Sequence, residues 1–86
     1  MKMFFAYVLK SVHQPYYYKG HCQDLQKRLK EHNQGLTKSI RPYIPFEIVY
    51  YEVFETEQQA IDREKYFKSG AGRRFLKKKF SGAVIE

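Results

Sequence analysis

Between Tyr7 and His32 the chain switches once from a two-residue to a helical period, and that switch constrains the fold more than any other feature. Residues 3–10 (MFFAYVLK) are aromatic and β-branched, as a strand requires. After Val12-His13-Gln14-Pro15, where the proline marks a turn, residues 16–21 (YYYKGH) read as a second strand, so the pair is expected to form an antiparallel hairpin. Alternation puts Phe5, Tyr7 and Leu9 on one face of the first strand, and Tyr16, Tyr18 and Gly20 on one face of the second. Whether Tyr7 and Tyr18 share a face depends on a register the spacing leaves open. Gly20 marks a point where the backbone turns or something comes close to it. A helix is then expected from about Gln23 to Asn33, stopped by Gly35, with Asp24 in its first turn. Leu25, Arg28, Leu29 and His32 share one stripe of it. Leucines belong on an inward stripe; an arginine does so only if it is paired or faces an open cleft.

The second half repeats that conflict. Residues 36–45 (LTKSIRPYIP) read as a polar, basic loop broken by Pro42 and Pro45. Its Lys38, Arg41 and Tyr43 suit contact with phosphates and stacking on bases, or equally a solvated connector. Residues 46–54 (FEIVYYEVF) carry the strongest strand signal, and Thr56 with Gln59 forms a capping box that starts a helix running to about Lys68. Ala60, Ile61, Glu64 and Phe67 lie on one stripe of that helix. A carboxylate there must pair or bind a cation, and an Arg28–Glu64 ion pair is the structural alternative to a site. Beyond Gly70-Ala71-Gly72, RRFLKKKF is expected to form a short helix with a basic face carrying Arg73, Arg74 and Lys77, and residues 81–86 are expected to fray.

The order of elements predicts an α+β fold: a three-stranded antiparallel sheet flanked by about three helices. Eighty-six residues make a single domain, with its core between about 3 and 80. No apolar run approaches the roughly 18 residues of a membrane span, and no signal-peptide pattern opens the chain, so a cytoplasmic protein without a membrane partner is expected. A single cysteine, Cys22, forms no intrachain disulfide and cannot by itself anchor a structural zinc site. Any metal is therefore expected to be a hard cation on carboxylate oxygen. The net charge of +7 favours polyanionic partners, nucleic acid first among them.

Two tyrosines on a hairpin, an arginine and a histidine on one helix and a glutamate on another suit phosphodiester cleavage. The developing negative charge calls for a guanidinium and a cation, and the attacking water for a proton acceptor. In their order and context, Phe5-Ala6-Tyr7, Tyr18-Lys19-Gly20, GHCQDLQKRLKEHN and TEQQAIDREKYFKSGAGRRFLKK resemble the GIY-YIG nuclease family over about residues 3–80. The small stand-alone bacterial members are the most similar, and the N-terminal nuclease domain of the excision-repair endonuclease is a further likeness.

The resemblance implies a metal-dependent DNA endonuclease serving repair or recombination, with Tyr18 as general base and Tyr7 hydrogen-bonding to water or phosphate. It implies Arg28 as the phosphate clamp, His32 as a partner to the tyrosine, and Glu64 as sole protein ligand of one Mg²⁺ or Mn²⁺. His21, Lys27, Lys38, Arg41, Arg73, Arg74 and Lys77 are the candidate DNA contacts. Cleavage would be non-sequence-specific or structure-specific, with a protein partner or a homodimer supplying any further targeting. A catalytically weak or inactive nucleic-acid-binding module acting with a partner is the alternative.

Four positions depart from the family pattern. Phe5 replaces the first motif's glycine, and Lys19 stands where an apolar residue is usual. Cys22 takes the place of a hydroxyl N-cap, a loss of about 1 kcal/mol to the helix. No asparagine follows Glu64 within residues 70–86.

Overall fold

Four consecutive residues of the first strand, Ala6, Tyr7, Val8 and Leu9, are buried, which requires cover on both faces and a place at the centre of a sheet. The computed structural model describes residues 2–85, with side chains to residue 80. It places this strand, β1 (Phe4–Ser11), between β2 (Tyr17–Cys22) and β3 (Phe46–Phe54) in a three-stranded antiparallel sheet of order β2-β1-β3. The expected hairpin forms, each strand lying one residue later than its composition suggests. Tyr7 pairs with Gly20 and Leu9 with Tyr18, so the two motif tyrosines are diagonal neighbours on one face. Against β3 the pairing steps from Val8–Tyr50 to Leu9–Ile48, a bulge that leaves Val49 extra.

Each face of the sheet carries its own core. On one, Tyr7, Leu9 and Cys22 pack with Ile40 and Phe46, and helix α1 (Leu25–Asn33) lays Leu25 and Leu29 against them. On the other, Ala6 and Val8 meet Phe67 of α2 (Glu57–Lys68) and Leu76 of α3 (Gly70–Ile85). Gly72 permits the tight α2–α3 crossing: a Cβ there would come within 2.8 Å of the Phe67 Cα and overlap the Tyr66 carbonyl. The segment Gly70-Ala71-Gly72, expected to precede the last helix, is instead its first turn. The fraying expected of residues 81–86 lies outside the described side chains.

Caps and tethers set the helix positions. The first helix begins at Leu25 rather than Gln23, because Asp24 is the N-cap and its carboxylate accepts the Lys27 N–H at 3.1 Å. The cap that Cys22 appeared to forfeit is therefore present, and Cys22 is a buried strand end. Gly35, at φ +82°, closes the other end of α1. Asn33 then fastens α1 to the third strand, its side chain accepting from the Phe46 N–H at 2.7 Å and donating to the Phe46 carbonyl at 3.1 Å. The capping box of α2 forms as expected, with Gln59 N–H to Thr56 Oγ1 and Thr56 N–H to Gln59 Oε1 both at 3.2 Å. Arg63 ties α2 to β3 through a bidentate pair with Glu52, at 2.7 and 3.1 Å, while stacking on Tyr66.

The basic loop is not a free connector. Residues Lys38–Tyr43 form a 3₁₀ turn with Ile40 buried beneath it. Tyr43 stacks on Tyr16 at 3.8 Å between ring centroids, which covers one face of its ring. Arg41 donates its Nε–H to the Gly35 carbonyl.

Candidate active site

The close approach that Gly20 signals is the ring of Tyr7. A Cβ on Gly20 would overlap the Tyr7 hydroxyl and lie 2.6 Å from its Cζ. The absent side chain lets Tyr7 lie flat against β2 and reach α1, where its Oη is 3.0 Å from His32 Nε2. The other ring nitrogen of His32 is 2.8 Å from Thr37 Oγ1. Tyr18 completes the group, with its ring 6.5 Å from Tyr7 and edge-on to His32 at 5.0 Å.

Burial, and next the neighbouring Tyr18, raise the Tyr7 pKa well above the ordinary phenol value, so Tyr7 keeps its proton. Burial also lowers the His32 pKa from its ordinary 6.5; the Arg28 charge adds to this and Glu31 opposes it. Neutral His32 offers one N–H and one acceptor, so one of the Tyr7 and Thr37 hydroxyls donates to it and the other accepts, joining the three in one hydrogen-bonded chain. The Tyr18 hydroxyl, by contrast, has no hydrogen-bond partner among the described residues. No buried side-chain polar atom is left unsatisfied either, so that hydroxyl is open to water.

The sign of the His32 shift yields a test. Between its depressed folded pKa and its unfolded value near 6.5, the unfolded chain binds the extra proton. Stability from His32 is thus full above about pH 6.5 and is lost as the pH falls toward the folded pKa. Thermal melts between about pH 8 and 5 should show Tm falling more steeply for the wild type than for His32→Gln.

Arg28 leaves the stripe it seemed to share with the leucines. Its side chain is 45% exposed and pairs with Glu31 at 3.7 Å rather than with Glu64. It lines an open cleft of about 430 Å³ together with His21, Cys22, Asp24, Lys27 and Glu31. Lys27, Lys38, Arg73 and Arg74 are exposed, as contacts to DNA require; Lys77 is exposed as well, on the outer side of α3.

Glu64 approaches from the other face of the sheet. His21 pairs with Ala6 and so points toward α2, where its Nδ1 is 2.6 Å from Glu64 Oε1. Lys68, one turn on, donates to Glu64 Oε2 at 2.6 Å. The Arg28–Glu64 ion pair is therefore replaced by a His21–Glu64–Lys68 cluster. His21 thus holds the glutamate while itself lining the Arg28 cleft. Burial pushes the Glu64 carboxyl up, but the Lys68 and His21 hydrogen bonds outweigh it and hold the pKa below the usual carboxylate value.

An ionised, half-buried carboxylate is the donor that Mg²⁺ or Mn²⁺ takes when water and phosphate oxygens fill the rest of its shell. Among the described residues, no group of three or more His, Cys, Asp and Glu could hold a metal. Both Glu64 oxygens have partners, and the Lys68 side chain is 56% exposed.

Lys68 and Thr37 were not identified from the sequence. The i, i+4 spacing of Glu64 and Lys68 was the available sign for the first. Nothing local marks Thr37, five residues beyond His32 and past the helix end.

The structure is an α+β domain whose three-stranded antiparallel sheet carries paired tyrosines on its central and edge strands, an arginine helix on one face and a glutamate helix on the other. Residues 3–79 match the GIY-YIG catalytic domain, and the chain belongs to that family, a nuclease superfamily whose members generally use divalent metals and act on DNA. It is 40% identical over 68 residues to a UPF0213 protein of Streptococcus pyogenes serotype M3, covering 78% of this chain and 73% of the relative. With a UPF0213 protein of serotype M5, strain Manfredo, it shares 38% over the same length and coverage. Among solved structures, the solution NMR structure of the UPF0213 protein BH0048 from Bacillus halodurans matches with a TM-score of 0.50 at 26% identity, over 86% of this chain and 81% of that one. Among the described residues no helix is long and apolar enough to cross a membrane.

Proposed function

We propose that this chain is a divalent-metal-dependent endonuclease that hydrolyses DNA phosphodiester bonds at the β2 edge, in a cytoplasmic role in repair or recombination. The observation that carries the reading is the Tyr18 hydroxyl, unpartnered among the described residues and open to water, beside the hydrogen-bonded chain of Tyr7, His32 and Thr37.

In this reading Tyr18, having given its own proton to solvent, accepts the proton of the attacking water; the water oxygen bonds to phosphorus and the P–O bond to the leaving strand oxygen breaks. Tyr7, protonated and fixed by His32, positions that water or a phosphate oxygen. Arg28 leaves its loose pairing with Glu31 to bind the charged phosphoryl oxygens. Glu64 would hold the ion, which supplies positive charge against the developing oxyanion when bound. His21 fixes the carboxylate that does so.

Supercoiled, branched and single-stranded DNA incubated with the protein and Mg²⁺ or Mn²⁺ should be nicked. Tyr18→Phe should lower the rate by roughly 10²-fold or more. The reading is overturned if no substrate is cut, or if Tyr18→Phe cuts like the wild type.

A second reading, a module that binds nucleic acid without cutting it, is favoured by one observation: both Glu64 oxygens are already engaged by His21 and Lys68. It predicts salt-sensitive binding that survives both Tyr18→Phe and Glu64→Ala, with no cleavage by any form.

A further inference from the structure

Lys19 has no role in the chemistry above. It pairs with Val8 and therefore faces α2 and α3, on the side of the sheet opposite Tyr18. It is half-buried, yet among the described residues it has no hydrogen bond, ion pair or ring contact. A helix-covered sheet face disfavours a partly desolvated ammonium without a counter-charge. Burial lowers its pKa, and the Arg73 and Lys68 charges lower it further.

The neighbouring contacts explain how the three converge. His21, two residues along β2 on the same face, holds Glu64; Glu64 holds Lys68; and the Lys68 carbonyl accepts from Arg73 Nη1 at 2.8 Å. Arg73 is thereby drawn back across the first turn of α3. Of the three cations only Lys68 reaches a carboxylate, Glu64, which also serves His21. Among the described residues Arg73 bonds the Lys68 carbonyl and the Lys19 ammonium meets no anion.

We infer that Lys19, Lys68 and Arg73 form a phosphate site on the α2–α3 side of edge strand β2, taking a backbone phosphate of the nucleic acid at a distance from the bond presented to Tyr18. This rests on the reading that the chain binds nucleic acid. Because β2 is the sheet edge, one strand passing over it meets Tyr18 and the Arg28 cleft on one side and the three cations on the other. A planar guanidinium with two ammonium groups is a recurrent phosphate-binding set.

Two titrations of the full chain test this. Inorganic phosphate, followed by amide chemical shifts, should give saturable changes at residues 18–20 and 68–73 that vanish in Lys19→Ile. Binding of a single-stranded oligonucleotide across a salt series should show the slope of log K on log salt falling in magnitude by about 0.7 in Lys19→Ile, as loss of one phosphate contact requires. Arg73→Ala, at an exposed position, should do the same and guards against misfolding of the first variant.

If neither variant changes the slope and phosphate moves no shift at the cluster, the site is overturned. If phosphate moves the shifts but both slopes stay at the wild-type value, the cluster takes free phosphate and the backbone assignment is overturned. If the wild type binds no oligonucleotide while phosphate still titrates the cluster, the functional reading fails and the anion site stands.

Discussion

Glu64→Ala is expected to abolish DNA cleavage, lowering the rate by on the order of 10³-fold, because charge stabilisation by a bound metal amounts to several kcal/mol and each 1.36 kcal/mol is about tenfold. Little stability should be lost with it. Lys68 is largely in solvent and His21 is 35% exposed, so freeing both costs at most about 1 kcal/mol. Glu64→Gln separates the two roles of the position: it keeps an oxygen for Lys68 and His21 and removes the charge a hard cation needs. Nicking assays, with Mn²⁺ binding measured by calorimetry, check both. Wild-type cutting by either variant would remove Glu64 from the mechanism.

The largest stability effect is expected at Gly20. An added Cβ would overlap the Tyr7 hydroxyl and sit 2.6 Å from Cζ. The ring cannot retreat, since Tyr7 is 2% exposed and bonded to His32. Gly20→Ala should therefore cost about 2–3 kcal/mol, the upper part of the overpacking range. For a domain of this size that lowers Tm by roughly 10–20 °C. The main part of the penalty should disappear in a Tyr7→Leu background, where the obstructing atoms are missing. A full penalty persisting in the double variant would place the cause in the backbone of β2 instead.

Much of the fold could be read from the chain because its signals are local. The hairpin, the capping box at Thr56 and the stop at Gly35 each need only a few neighbouring residues, and each forms, the hairpin strands one residue later than expected. What could not be read depends on cross-chain distances. Arg28 and Glu64 both looked anomalous on their stripes, but periodicity could not say that they lie on opposite sides of the sheet, each with its own partner. His21 was indistinguishable from an exposed strand end, because the glutamate that engages it is 43 residues away. Three residues rich in glycine read as a break before the last helix, yet they form its first turn, and Gly72 is required by the close crossing with α2. The misplaced first-helix cap has a simpler origin: Asp24 was assigned to the turn, when its extended φ and ψ make it the cap itself.

The paired hydrogen bonds between the Asn33 side chain and the Phe46 backbone have a dynamic consequence. The carboxamide imitates one more peptide unit at the mouth of β3, so a nine-residue helix too short to persist alone borrows the cooperativity of the sheet. Opening α1 would strip the first pairing position of β3 as well, and the helix and that strand end should therefore breathe as one unit. The arginine and histidine of α1 are in effect mounted on the sheet, and they hold their places, His32 against the tyrosines and Arg28 at its cleft, for as long as the sheet itself survives.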